Sequence, residues 1–141
     1  MYLLPTQQKL KSFEKITKSE LIKIFDMFPP KTTSEFDEIP NKIIKYCKDE
    51  LMDPLLNIIN TSIDQSTVPQ KMKIALIYPK HKKDDKQSLQ NYRPISILPT
   101  ISKYLEKAIF LQMIKFLEQT NSLSDSQHSF RSGKSINTAL P

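Results

Sequence analysis

The segment 78-YPKHKKDDKQSLQNYRPISILP-99 changes character twice. An apolar run ends in a knot of lysines, and a second apolar run follows a single arginine. "KIALIYPK" has β-branched residues at strand length and predicts a strand over residues 73 to 79. "ISIL", residues 95 to 98, predicts a second short one. The expected unit is an antiparallel β-hairpin with a basic tip, or a strand–loop–strand variant of it.

The flanking sequence reads as helix. "TKSE" at 17–20 is a capping box, with Thr17 and Glu20 each satisfying the other's backbone amide, and Ile16 and Leu21 stand at the positions of a hydrophobic staple. Leu21, Ile24, Phe25 and Phe28 form an apolar face that Pro29-Pro30 terminates. A loop, "TTSEFDEIP", leads to Pro40 and a short helix through Lys48, with Ile39, Ile43, Ile44 and Cys47 as its buried side. Next comes a helix with Leu55, Leu56, Ile59 and Ile63 facing the core, ending at Val68-Pro69. It is capped at Asp53-Pro54, or starts near Asp49 and bends at the proline. The longest helix is expected from about Thr100 to Gln119, its sides marked by Ile101, Leu105, Ala108, Gln112 and Phe116 and by Tyr104, Ile109, Met113 and Leu117. "INTAL" near the end begins another. The expected fold is α+β and rich in helix, with helices flanking a small antiparallel β-hairpin.

Composition narrows the function classes. The 141 residues hold one glycine, Gly133, and ten prolines, which argues against a glycine-rich phosphate loop. Net charge is +6, and the excess is lysine, nineteen against two arginines. That balance suits a polyanionic partner, or lysines that simply solvate helix faces. Cys47 is the only cysteine, no apolar run reaches the ~18 residues of a membrane span, and no signal-peptide pattern opens the chain. The expectation is an intracellular protein without a membrane partner, in the nucleus or the cytoplasm.

Lys80, Lys82, Lys83 and Lys86 form a flexible basic loop able to close over phosphates as mobile point charges, or a merely solvated tip. Arg93 differs in kind. Pro94 disfavours helix at Arg93, so its planar fork projects from extended backbone and matches phosphate oxygens bidentately. Tyr92 beside it is suited to stacking on a base or to packing in a core. In "FRSGKS", Arg131, Lys134 and Ser135 could meet a phosphate, but the spacing is not that of a Walker loop. His81 and His128 have no partner at metal-ligand spacing, and no Ser/His/Asp or Cys/His set stands out. The residues alone imply phosphate binding and no catalytic group.

The order of motifs resembles the fingers-side portion of a non-LTR (LINE-like) retrotransposon reverse transcriptase. "FDEIPNKIIK", then "LLNIINTSIDQSTVPQKMKIALIYPKHKKDDKQSLQNYRPISILPTISKYLEKAI", then "FLEQTNSLSDSQHSFRSGKSINTAL" run in family order, and P-K-x-K-K followed by N-Y-R-P-I-S-x-L is the distinctive combination. The resemblance implies a partial fingers subdomain of a right-hand polymerase over residues 16–141, after an irregular lead-in at 1–15. It places Lys80 and Arg93 near the incoming triphosphate, assisted by Lys82 and Lys83. It places Tyr92, Gln127, Phe130 and Arg131 near template or nucleotide.

Three positions depart from the family pattern: Ser129 stands where glycine precedes Phe130, Glu38 where glycine follows Asp37, and Ile136 where threonine follows Ser135. The family's paired metal-binding aspartates lie in the palm, and no Y/F-x-D-D motif occurs here. The resemblance therefore implies a chain truncated before the palm, with no catalytic residue or metal ligand of its own. Mg²⁺ is expected only in a complete polymerase. Implied partners are an RNA template, DNA or RNA–DNA hybrid, and a deoxynucleoside triphosphate, with self-association through surface that a palm would cover. The alternatives are a basic helical module that binds nucleic acid or protein without catalysis, and a nonfunctional remnant of a decayed element.

Overall fold

The computed structural model describes residues 9–30 and 39–139. The first eight residues of the lead-in and the predicted loop before Pro40, with Asp37 and Glu38, lie outside them. The element order is α1 (Lys18–Met27), α2 (Asn41–Tyr46), α3 (Lys48–Asp64), β1 (Leu76–His81), β2 (Tyr92–Ile97), α4 (Thr100–Gln119) and α5 (Ile136–Ala139). This is the helix-rich α+β fold with a two-stranded antiparallel sheet that the sequence predicted. The chain divides into two compact units, Glu14–Ile109 and a second made of Met1–Phe13 with Phe110–Pro141.

In the 14–109 unit, α1 starts where its capping box requires. The Thr17 hydroxyl accepts from the Glu20 amide at 3.2 Å, and the Glu20 carboxylate accepts from the Thr17 amide at 2.7 Å. Ile16 and Leu21 are both buried, as a staple demands. Ahead of the helix, the Asn60 side chain grips the backbone of Ile16 on both sides, accepting from its N–H at 2.8 Å and donating to its C=O at 2.9 Å. Leu21, Ile24 and Phe25 face α3, whose own buried line is Met52, Leu55, Ile59 and Ser62. That spacing of three, four and three residues is one helix face. Leu56 and Ile63, expected inside, lie at its margin and are half-buried.

Helix α3 runs continuously from Lys48 with Pro54 inside it, so Asp53 is not its cap. The Asp53 carboxylate pairs instead with Lys18 at 2.6 Å, and Lys48–Asp26 and Lys15–Asp64 likewise join α1 or the residues before it to α3 at the surface. Exposed pairs of this kind contribute about 0–1 kcal/mol each. The apolar face holds the two helices together.

The predicted buried side of α2 is corrected. Only Ile44 is buried; Ile39 is 42% and Ile43 54% exposed, and Cys47 is exposed. The face turned inward is Asn41 with Ile44, one turn apart, because Asn41 answers two polar groups of the core. Its side-chain amide donates to the Pro29 carbonyl at 2.6 Å, and its oxygen accepts from the Tyr104 hydroxyl. Tyr104, fully buried, stacks on Phe25 at 4.3 Å between ring centroids and meets Phe28 edge-on at 5.3 Å. Burial in α4 is confined to Thr100, Ser102, Tyr104, Leu105 and Ala108, so the apolar stripe read through Met113 and Phe116 is only half-buried or exposed in its second part.

Both strand boundaries differ from expectation. Residues 70–73 form a 3₁₀ turn, and β1 starts at Leu76. The Ser102 hydroxyl donates to the Met72 carbonyl at 2.8 Å and fastens that turn to the start of α4. Strand β2 begins earlier than "ISIL" and takes in Tyr92, Arg93 and Pro94. Apart from His81, Tyr92 and Ile97, which are half-buried, the residues of the two strands are exposed.

Candidate nucleic-acid interface

The register of the hairpin decides which side chains act together. Leu76 stands opposite Ile97, Tyr78 opposite Ile95, Pro79 opposite Pro94, Lys80 opposite Arg93 and His81 opposite Tyr92. Neither proline has an N–H, so Pro79–Pro94 must be a pair without mutual hydrogen bonds, and Lys80–Arg93 the bonded kind. The Lys82 amide bonds to the Asn91 carbonyl at 2.8 Å, which continues the same alternation. Residues of a non-bonded pair turn their amides outward, so the two prolines also blunt both free edges of the sheet.

Directly opposite residues share a face. Lys80 and Arg93 therefore lie side by side on one surface, with Tyr78 and Ile95 behind them on the same face. Both cations are exposed, and among the described residues neither has a side-chain partner. Tyr92 is next to Arg93 in sequence and for that reason on the other face, beside His81. Its ring meets the His81 imidazole edge-on at 5.3 Å, and its hydroxyl donates to the Lys86 carbonyl at 2.9 Å. The aromatic on the face of Arg93 is Tyr78, 54% exposed. The sequence reading missed Tyr78 and Ile95: alternation sets each beside Lys80 or Arg93 within its own strand, but only the register brings the two pairs onto one face.

The basic loop is braced by internal hydrogen bonds. Asp84 adopts the left-handed region at φ +62°, where aspartate is among the less penalised residues. The Asp85 carboxylate accepts from the Gln87 amide at 2.9 Å, and the Asn91 amide bonds to the Ser88 carbonyl at 3.1 Å. Lys82, Lys83 and Lys86 remain exposed, and among the described residues only Lys83 has a carboxylate near it, Asp84 at 3.8 Å. Five cations against two carboxylates give residues 80–93 a positive field over a small area.

The second set of predicted residues lies in the other unit, in the loop after α4. Arg131 donates from Nη1 to the Ser124 carbonyl at 3.0 Å and borders a recess of about 530 Å³ with Leu117, Glu118, Asn121, Leu123 and Asp125. Part of its donor fork thus holds the loop together. Gln127 is exposed, with its side-chain amide 3.4 Å from the Ser129 carbonyl. Phe130 is 92% exposed and itself takes the left-handed conformation, φ +61°. The unusual backbone thus falls on Phe130, one residue after Ser129. Gly133 is left-handed too, at φ +74°, with open space where a Cβ would stand, so conformation and not crowding favours glycine there. Lys80, Lys82, Lys83 and Arg93 are gathered by the hairpin, and Gln127, Phe130 and Arg131 by this loop. Among the described residues no cluster of three or more His, Cys, Asp or Glu side chains could hold a metal ion. None of their helices is long and apolar enough to cross a membrane.

Curated proteins provide the comparison. The chain is 26% identical over 117 residues to the "RNA-directed DNA polymerase from mobile element jockey" of Drosophila melanogaster, covering 82% of this chain and 13% of that protein. This chain is similar to the reverse transcriptases of non-LTR retrotransposons. The "Probable RNA-directed DNA polymerase from transposon BS" of the same fly is 28% identical over 132 residues, 93% of this chain and 14% of its own length. The corresponding protein from transposon X-element is 28% identical over 99 residues, 69% of this chain and 11% of its own. The chain thus spans about an eighth of the length of these retrotransposon polymerases. No protein-family model matches it.

Proposed function

We propose that this polypeptide is the part of a retrotransposon RNA-directed DNA polymerase that grips phosphates of nucleotide and template. The observation that carries the reading is the register that sets Lys80 opposite Arg93 on an exposed strand face. There a guanidinium fork and an ammonium can engage one run of phosphates together. Lys82, Lys83 and Lys86 add mobile charge from the loop. Gln127, Phe130 and Arg131 supply a second contact, in which the exposed Phe130 ring is available to stack on an unpaired base. Partners under this reading are an RNA template, DNA or hybrid, and a deoxynucleoside triphosphate. Synthesis itself needs the two-metal aspartates of a palm, and the 141 residues contain no Y/F-x-D-D motif.

The test is a titration of the chain with labelled RNA–DNA hybrid at several salt concentrations, with Arg93→Ala alongside. Binding should weaken with salt, and the slope of log affinity against log salt should fall by about one on loss of the arginine. Binding indifferent to both salt and the substitution would exclude the phosphate-gripping role. Single-stranded RNA and duplex DNA in the same series assign the substrate class.

A further inference from the structure

The loop at the hairpin tip, residues 82–91, carries bonds that a solvated turn does not need. Three successive carbonyls in it are each taken up by a side chain from the strand ends or the loop's last residue. His81 Nε2 stands 3.1 Å from the Asp84 carbonyl, Asn91 Nδ2 donates to the Asp85 carbonyl at 2.8 Å, and the Tyr92 hydroxyl donates to the Lys86 carbonyl at 2.9 Å. A carbonyl oxygen only accepts, so Nε2 is the donor in the His81 contact. The Asp85 carboxylate is engaged as well, by the Gln87 amide.

The consequence is electrostatic. Free carbonyls at the tip would repel an anion and compete with it for the lysine ammonium groups. Here the carbonyls of residues 84 to 86 are each engaged, while Lys80, Lys82, Lys86 and Arg93 have no side-chain partner among the described residues. An ordered loop also loses less conformational freedom when it closes on a ligand.

From this geometry we infer that His81, Asn91 and Tyr92 are positioning residues, which hold loop 82–91 in advance as a receptor for a run of phosphates. The inference rests on the phosphate-binding reading above and gives Tyr92 a role other than stacking on a base. It acts through the loop, from the face opposite Arg93.

The test uses the whole chain with two probes, inorganic tripolyphosphate and a short single-stranded RNA, against the wild type, Tyr92→Phe, Asn91→Ala and Arg93→Ala. Tyr92→Phe removes one hydroxyl and keeps the ring. Each brace variant should lose affinity about three- to ten-fold, the weight of one neutral hydrogen bond, with the salt slope unchanged because no charge is removed. Amide exchange at Ser88 and Asn91 should quicken in the free variant, while α1 and α3 exchange as in the wild type. Weakening on tripolyphosphate assigns the loop to a nucleotide-type phosphate chain, and weakening on RNA alone assigns it to a strand backbone; either supports the inference. Wild-type affinity in both brace variants, with Arg93→Ala impaired, overturns it and leaves the phosphate reading standing. Lost affinity in Tyr92→Phe without faster loop exchange also overturns it, since the hydroxyl would then touch the ligand itself. Wild-type affinity in Arg93→Ala removes the phosphate reading and the inference with it.

Discussion

At the residue scale, a few polar side chains tie distant segments of this small core to one another. Asn41 is 7% exposed and joins the Pro29 carbonyl to the Tyr104 hydroxyl, so α2 and α4 are tied at one point. Asn60 does the same for the backbone of Ile16, holding it where its side chain can staple α1. Replacing Tyr104 by Phe keeps the stacked ring and removes the donor to Asn41. A buried acceptor left without its partner costs about 1–3 kcal/mol, and chemical denaturation should show a loss of that size. No rule of sequence spacing pairs residues 41 and 104, which explains why the apolar residues Ile39 and Ile43 drew the reading of α2 to the wrong face.

At the scale of elements, the clearest conflict between local preference and observed structure is Pro54. It lacks the N–H that the helix would direct to the carbonyl of Glu50, and its ring crowds that turn. The helix persists because Met52, Leu55 and Ile59 on its inward face are all buried. Pro54→Ala should therefore stabilise the chain by about 2 kcal/mol, the ~3 kcal/mol interior penalty less the ~1 kcal/mol by which proline restricts the unfolded chain. A thermal melt that is unchanged or lower would show that the core depends on the proline itself. Prolines in the hairpin are different. Pro79 and Pro94 face one another where neither amide has a bond to make, so the sheet tolerates both.

At the scale of the molecule, the large buried side chains lie in the 14–109 unit, where Leu21, Ile24, Phe25, Ile59 and Tyr104 are each no more than 2% exposed. Phe25→Ala should cost about 3–5 kcal/mol, whereas Phe130→Ala, at a site 92% exposed, should change stability by no more than about 0.5 kcal/mol. Equilibrium unfolding in denaturant separates the two. If Phe130→Ala instead weakens binding to single-stranded RNA, its exposure serves recognition and not folding. Local rules sufficed for the capping box at Thr17, the span of α4, the existence of a hairpin and the cationic character of its tip. Each depends on residues within a few positions of one another, where spacing and charge act directly. Tertiary structure alone decided that Arg93 stands opposite Lys80 and on the other face from its neighbour Tyr92, that the Tyr92 hydroxyl bonds to the Lys86 carbonyl, and that Asn41 rather than Ile43 enters the core. Those outcomes depend on strand register and on hydrogen bonds between distant segments, and neither is written in local periodicity.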